Sequence, residues 1–231
     1  MAVLIAAAMI EASASQRLTE VRAAIARAAH VANRNAGEVT LIAVSKTHGP
    51  EAIRPLLEAG HRHFGENRVQ EAAEKWPELR TDFPDVKLHL VGQLQSNKAE
   101  QAVRLFDSIH SVDRSSLIGA LARAMERSGR APDCFIQVNL AEEPQKGGCK
   151  PGAVPDLNAE AQAAGLPIAG LMCIPPADME PAPWFAFLAE LGRRHGLTGL
   201  SMGMSGDYET AVTIGATHVR VGTALFGERS P

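Results

Sequence analysis

After Gly37 the sequence alternates between short apolar, mostly β-branched runs and longer stretches whose apolar positions recur at helical spacing. Eight runs read as strands: Leu41–Ser45, Arg62–Phe64, Leu88–Val91, Ser108–Val112, Cys134–Leu140, Ile168–Cys173, Leu200–Met202 and His218–Val221. Helical text begins near Pro50, Glu66, Asn97, Ser115, Val154, Pro183 and Asp207. Strands separated by helices pair in parallel, because a parallel connection needs a long crossover. Eight such units predict an α/β fold, a single (β/α)8 TIM-type barrel. The alternative is an open doubly wound sheet, but its GxGxxG turn and the GxxxxGK[ST] phosphate loop are both absent. Ahead of the barrel, Leu18, Val21, Ile25, Ala28 and Ala29 mark an extra N-terminal amphipathic helix over residues 10–34. The expected organisation is one domain over residues 1–231, with the Ala-rich residues 1–9 set apart as a disordered leader.

Length and composition narrow the function classes. A chain of 231 residues suits one barrel. It has no apolar window long enough to span a bilayer. The apolar run Met1 to Ile10 lacks the preceding basic residues of a signal peptide, so a cytoplasmic protein is expected. Cys134, Cys149 and Cys173 form neither a CxxC pair nor an even set and read as core fillers. A net charge of −3 without blocks of one sign leaves no footprint for nucleic acid. A small ligand is the better expectation.

In a barrel, chemistry sits at the C-terminal ends of strands. The first strand leads into Lys46, one of only six lysines. Partial desolvation in the barrel mouth favours the free amine, a nucleophile toward carbonyls. A lone strand-end lysine more often snorkels to water. The last two strands add weight. Ser201-Met202-Gly203-Met204-Ser205-Gly206-Asp207 and Val219-Arg220-Val221-Gly222-Thr223 each break into a small-residue turn that enters a helix, with Ser205 or Asp207 as the N-cap of the first. Either turn alone is an ordinary βα loop, but the pair occupies the position of many barrel phosphate sites. A lysine facing a phosphate cradle suggests an aldehyde carried on a phosphate, which pyridoxal 5'-phosphate (PLP) is. Arg220 then lies where a pyridine nitrogen would be, unless it pairs with a barrel carboxylate.

Several motifs together make the chain recognisable: Ala43-Val44-Ser45-Lys46-Thr47, Phe64-Gly65-Glu66-Asn67 with Val69-Gln70-Glu71, His89 to Lys98, Gln137-Val138-Asn139, Ser201 to Asp207 and Val219 to Gly227. From about residue 10 onward the sequence resembles the pyridoxal phosphate homeostasis protein family, which is similar in fold to the barrel domain of alanine racemase. The resemblance implies that PLP is held as a Schiff base on Lys46. It also implies that Ser205, Gly222 and Thr223 bind the phosphate, that Arg220 faces the pyridine nitrogen with Ser201 against it, and that Asn67 lies beside the cofactor. The implied role is intracellular PLP homeostasis and delivery, with no established turnover and transient contact with PLP-dependent apo-enzymes.

Two enzyme readings compete. Two-base racemisation needs a second acid–base group opposite the lysine. The racemase takes a tyrosine from a further β domain, whereas this sequence stops at Pro231, and its one tyrosine, Tyr208, has no reason to reach across the cofactor. Lacking the domain that pairs racemase subunits, the chain is expected to be a monomer. A metal-dependent hydrolase would use His61, His63, His89 and His110, but complementary carboxylates are missing and hydrogen-bonded or surface histidines are expected instead. Lys98 and Lys150 read as ordinary exposed amines.

Overall fold

Eight parallel strands close in chain order: β1 (Thr40–Val44), β2 (His63–Glu66), β3 (Lys87–Leu90), β4 (Ser108–Val112), β5 (Asp133–Val138), β6 (Ile168–Cys173), β7 (Gly199–Met204) and β8 (His218–Val221). Thr40 to Ala43 of β1 register with His218 to Val221 of β8 and complete the barrel. The computed structural model describes residues 2–227, with side chains from residue 14 onward. Around the strands run α2 (Pro50–Glu58), α3 (Val69–Asp82), α4 (Ala99–Leu105), α5 (Ser115–Ser128), α6 (Val154–Ala163), α7 (Ala182–Arg194), α8 (Tyr208–Ile214) and the short α9 (Thr223–Phe226). The TIM-type barrel expected from the alternation is the fold observed.

The N-terminal helix, α1 (Ala2–Val31), buries Ala14, Leu18, Val21, Ala24, Ile25, Ala28 and Ala29 along one stripe and packs on α2, α8 and α9. It starts at Ala2, well before Ile10, and the Ala-rich opening is helical where a disordered leader was expected; alanine has the highest helix propensity. It ends at Val31, ahead of Arg34, as Asn33 turns to a φ of 53°. Arg34 then clamps the helix end to the barrel by donating to the carbonyls of Val212 and Ala216.

Strand boundaries shift where polar side chains find partners. Glu66, expected to open a helix, completes β2, because its carboxylate is buried against Lys75, Ser45 and Trp76. β5 stops at Val138, short of Leu140. There the Asn139 side chain accepts from the Glu143 N–H and donates to the Glu143 carbonyl, and so closes a turn.

Alternation along each strand separates two layers. Residues such as Ala43, Phe64, Leu90, Ile109, Ile136, Leu171, Met202 and Val221 face the helices and share one apolar core with them. Fully buried Trp76, Phe64, Phe106 and Phe185 anchor this layer, each worth about 1.5–3 kcal/mol in burial. Residues of the opposite parity fill the barrel, and here the filling is polar: His89, His110, Gln137, Ser201 and Arg220 are all buried. Cys134, Cys149 and Cys173 are buried and unpaired, with thiol pKa values pushed up by burial to about 12, as core fillers should be.

Candidate functional site

Lys46 lies just beyond β1, on the inward parity shared with Val44, and both line a cavity at the C-terminal mouth of the barrel. Its neighbour Ser45 faces the other way, is buried, and donates to Glu66 Oε1 at 2.6 Å. Lys75 of α3 secures the loop from beneath: its ammonium donates to the carbonyls of Ser45 (2.8 Å) and His48 (3.1 Å). The same ammonium pairs with Glu66 and Glu71. Thr47 takes a φ of 66°, an uncommon conformation for a residue with a Cβ, and its N–H donates to Glu71 Oε1 at 2.6 Å. Lys75 and Glu71 of α3 thus fix the backbone on both sides of Lys46, and Glu66 of β2 holds the Ser45 side chain. Among the described residues, none hydrogen-bonds or ion-pairs with the Lys46 ammonium itself.

The opposite wall comes from the turns after β7 and β8. Gly203 has a φ of 92°, and a Cβ there would stand 2.6 Å from that of Ala211, so only glycine lets the chain turn this closely over α8. Asp207 Oδ1 accepts from the Met204 N–H and tightens the turn. Ser205 Oγ accepts from the Gly222 N–H at 3.2 Å, which ties the two turns together. Arg220 projects inward from β8, only 4% exposed. Its Nη1 donates to Ser201 Oγ and its Nη2 to the Cys173 carbonyl, each at 2.8 Å. No ion pair between Arg220 and a carboxylate is present among the described residues.

These elements enclose about 330 Å³, within the usual range of small-ligand pockets. Lys46, Asn67, Ser205, Arg220, Gly222 and Thr223 all line it, so six of the seven residues singled out from sequence are brought together. Ser201 is not in the lining; it sits one layer deeper, behind Arg220. Asn67 reaches the cavity because Gly92 lets its backbone pass: a Cβ at Gly92 would meet the Asn67 carbonyl at 2.2 Å. Sequence reasoning missed His48, Val91, Ile174 and Met204 in the lining. It also missed the role of Lys75, for which the Glu71–Lys75 spacing of four on one helix was the available signal. Tyr208 is buried at the start of α8 and does not line the cavity.

The histidines weighed as metal ligands lie elsewhere. His61 precedes β2 and contacts the His63 carbonyl, while inside the barrel His63 contacts His89 and His89 contacts His110. Among the described residues no group of three or more His, Cys, Asp or Glu side chains is placed to hold a metal ion. No described helix is long and apolar enough to cross a membrane.

Comparison with known proteins gives the family and the fold. Residues 21–230 match the family model for the alanine racemase N-terminal domain. The pyridoxal phosphate homeostasis protein of Pseudomonas aeruginosa is 41% identical over 221 residues, covering 93% of this chain and 95% of the relative. PipY of Synechococcus elongatus PCC7942 is 44% identical with a TM-score of 0.78, covering 92% of this chain and 99% of PipY in its structure without PLP. A second PipY structure, with PLP bound, is equally similar and covers 93% of this chain and all of PipY. Alanine racemase of Clostridium difficile shares the fold alone, with a TM-score of 0.70 and 14% identity over 95% of this chain and 57% of the racemase. The chain therefore belongs to the alanine racemase N-terminal domain family, among the relatives called pyridoxal phosphate homeostasis proteins.

Proposed function

We propose that this protein binds PLP in the barrel-mouth cavity and serves PLP homeostasis, holding the cofactor for delivery to other enzymes and not turning over a substrate. The observation that carries the proposal is the convergence of an unpaired amine, a buried guanidinium and a Ser/Gly/Thr turn on one cavity. PLP-bound PipY and the name of the Pseudomonas aeruginosa relative support it.

When bound, PLP supplies an aldehyde that condenses with primary amines and a ring that withdraws electrons. Lys46 is the lysine in the cavity and would take the covalent bond. Ser205 and Thr223 hydroxyls, with the Gly222 backbone, would hold the phosphate. Arg220 would face the pyridine nitrogen, with Ser201 behind it, and Asn67 would flank the ring. A guanidinium cannot give up its proton at physiological pH, so it leaves a facing nitrogen unprotonated. Arg220 in that position would give carbanion chemistry little support, which favours holding over catalysis.

Racemisation is the second reading, favoured by the shared fold. It needs an acid–base group across from Lys46. Among the described residues, the titratable side chains in the lining are Lys46, Arg220 and His48, and His48 lies on the Lys46 loop, stacked on Phe226 at 4.5 Å between ring centroids. In the carrier reading the protein is a cytoplasmic monomer that meets PLP-dependent apo-enzymes transiently, without membrane or nucleic-acid partners.

Purified protein mixed with PLP should show a visible absorbance band that Lys46→Ala abolishes and that borohydride bleaches, leaving the cofactor irreversibly attached. Incubated with L-alanine, the loaded protein should yield no D-alanine by chiral chromatography. A colourless protein would overturn the binding proposal, and turnover on the order of 1 s⁻¹ or faster would overturn the carrier role.

A further inference from the structure

A string of hydrogen bonds crosses the barrel interior and ends on Arg220. His63 Nδ1 lies 3.0 Å from His89 Nε2, and His89 Nδ1 lies 3.1 Å from His110 Nε2. His110 Nδ1 lies 2.8 Å from Ser201 Oγ, which accepts from Arg220 Nη1 at 2.8 Å. The string passes from β2 through β3 and β4 to β7 and β8. His89, His110, Ser201 and Arg220 are all buried, and only His63 at the far end is partly exposed.

Counting protons leaves one arrangement. Arg220 can only donate, so Ser201 Oγ accepts from it and is free to donate its own hydrogen to His110 Nδ1. Were His110 protonated at Nδ1 instead, the buried Ser201 hydroxyl hydrogen would find no acceptor among the described residues, which is costly. A bare Nδ1 puts the His110 proton on Nε2, facing His89 Nδ1 and Ser108 Oγ, the latter at 3.0 Å. His89 Nδ1 must then be bare, its proton lies on Nε2, and that proton points at His63 Nδ1. A charged imidazole anywhere between would set two N–H groups head to head, and burial holds both His89 and His110 well below the usual histidine pKa. His218 touches the string only from the side, its ring centroid 6.3 Å from that of His89 and 5.8 Å from that of His110, and bonds to Thr217.

We infer that Ser201, His110, His89 and His63 are positioning residues for Arg220, forming a polarised chain in which every imidazole is the Nε2–H tautomer. The chain does two things. It fixes the guanidinium through Nη1 while the Cys173 carbonyl fixes Nη2. It also turns the bare-nitrogen, negative ends of three imidazole dipoles toward a buried cation. Asp207 adds a favourable field but makes no bond to Arg220. An unpaired buried charge is otherwise expensive. The bearing of this chain on a cofactor rests on the PLP reading, because Arg220 lines that cavity; the chain itself belongs to the ligand-free protein.

Nitrogen-15 NMR of the histidine rings and the arginine guanidinium groups in the ligand-free full chain at neutral pH tests it. His89 and His110 should each show one protonated and one bare nitrogen, with the proton on Nε2, and the Arg220 N–H protons should exchange slowly. Ser201→Ala should collapse the His110 signals toward an averaged tautomer pair and speed exchange at Arg220. His63→Ala should leave both tautomers as they are, because polarity comes from the Arg220 end. An Nδ1–H or averaged His110 in the wild type, tautomers unmoved by Ser201→Ala, or tautomers scrambled by His63→Ala would each overturn the inference. If Ser201→Ala does not fold, the wild-type tautomers and His63→Ala still decide. Failure of PLP to bind would overturn the cofactor reading alone and leave these signals unchanged.

Discussion

Lys75 and Glu66 form a 2.8 Å ion pair beneath the loop that carries Lys46, with side chains 8% and 0% exposed. Such a pair adds little net stability compared with apolar residues, but breaking it strands a charge in the core. Lys75→Met is expected to lose about 3–5 kcal/mol in urea unfolding at neutral pH. The double variant Lys75→Met with Glu66→Gln should lose less than the single, because the stranded carboxylate is gone. A single variant as stable as wild type would remove this pair from the support of Lys46.

Acid should unfold the protein through its barrel histidines. Burial, with help from Arg22, holds His61 at about 3, and burial holds His218 at about 4. Burial likewise lowers His63, His89 and His110. The folded state therefore binds fewer protons than the unfolded chain below the ordinary histidine pKa. Stability is full above that value and is lost as pH falls, by about 1.4 kcal/mol per pH unit for each histidine kept neutral. Glu66 acts in the opposite sense, since burial raises its pKa and the folded state takes up that proton first. One group opposes five. The urea midpoint should drop between about pH 6.5 and pH 4.5, and His218→Leu should flatten the slope by roughly one proton. A flat wild-type profile would contradict this.

Gly92 is a steric gate for Asn67. In Gly92→Ala the new methyl would sit 2.2 Å from the Asn67 carbonyl and 2.7 Å from its Cα, both backbone atoms. Relief requires the two loops to move apart and shifts Asn67 relative to the cavity, at about 1–3 kcal/mol of stability. Both the melting temperature and PLP affinity should fall. A variant that melts like wild type and binds PLP equally would show that the position of Asn67 is not set there.

Much of this was legible in the sequence because the barrel writes itself as a period. Runs such as Leu88-His89-Leu90-Val91 and His218-Val219-Arg220-Val221 alternate, and the eight runs fall on the eight strands. Lys46, Ser205, Gly222 and Thr223 were readable because barrel loops after strands meet at one mouth. Less was readable where partners come from other elements. Glu66 looked like a helix opener because its stabilising ammonium lies on α3. Ser201 looked like a cavity residue, but inward residues stack in layers, and Arg220 stands between it and the mouth. Ile174 and Met204 carry no pattern that distinguishes a cavity wall from a loop. The histidines were visible at alternating positions, but which imidazole faces which depends on strand register, which places His89 opposite Ser108 and one step from His110.

The central claim is that Lys46 is the amine that holds PLP. The most direct measurement is to load the full chain with PLP, reduce it with borohydride, digest it and locate the pyridoxyl group by mass spectrometry. The geometry predicts one group per chain, on the peptide containing Lys46. Modification centred on Lys98, Lys146 or Lys150, or none at Lys46, would contradict it.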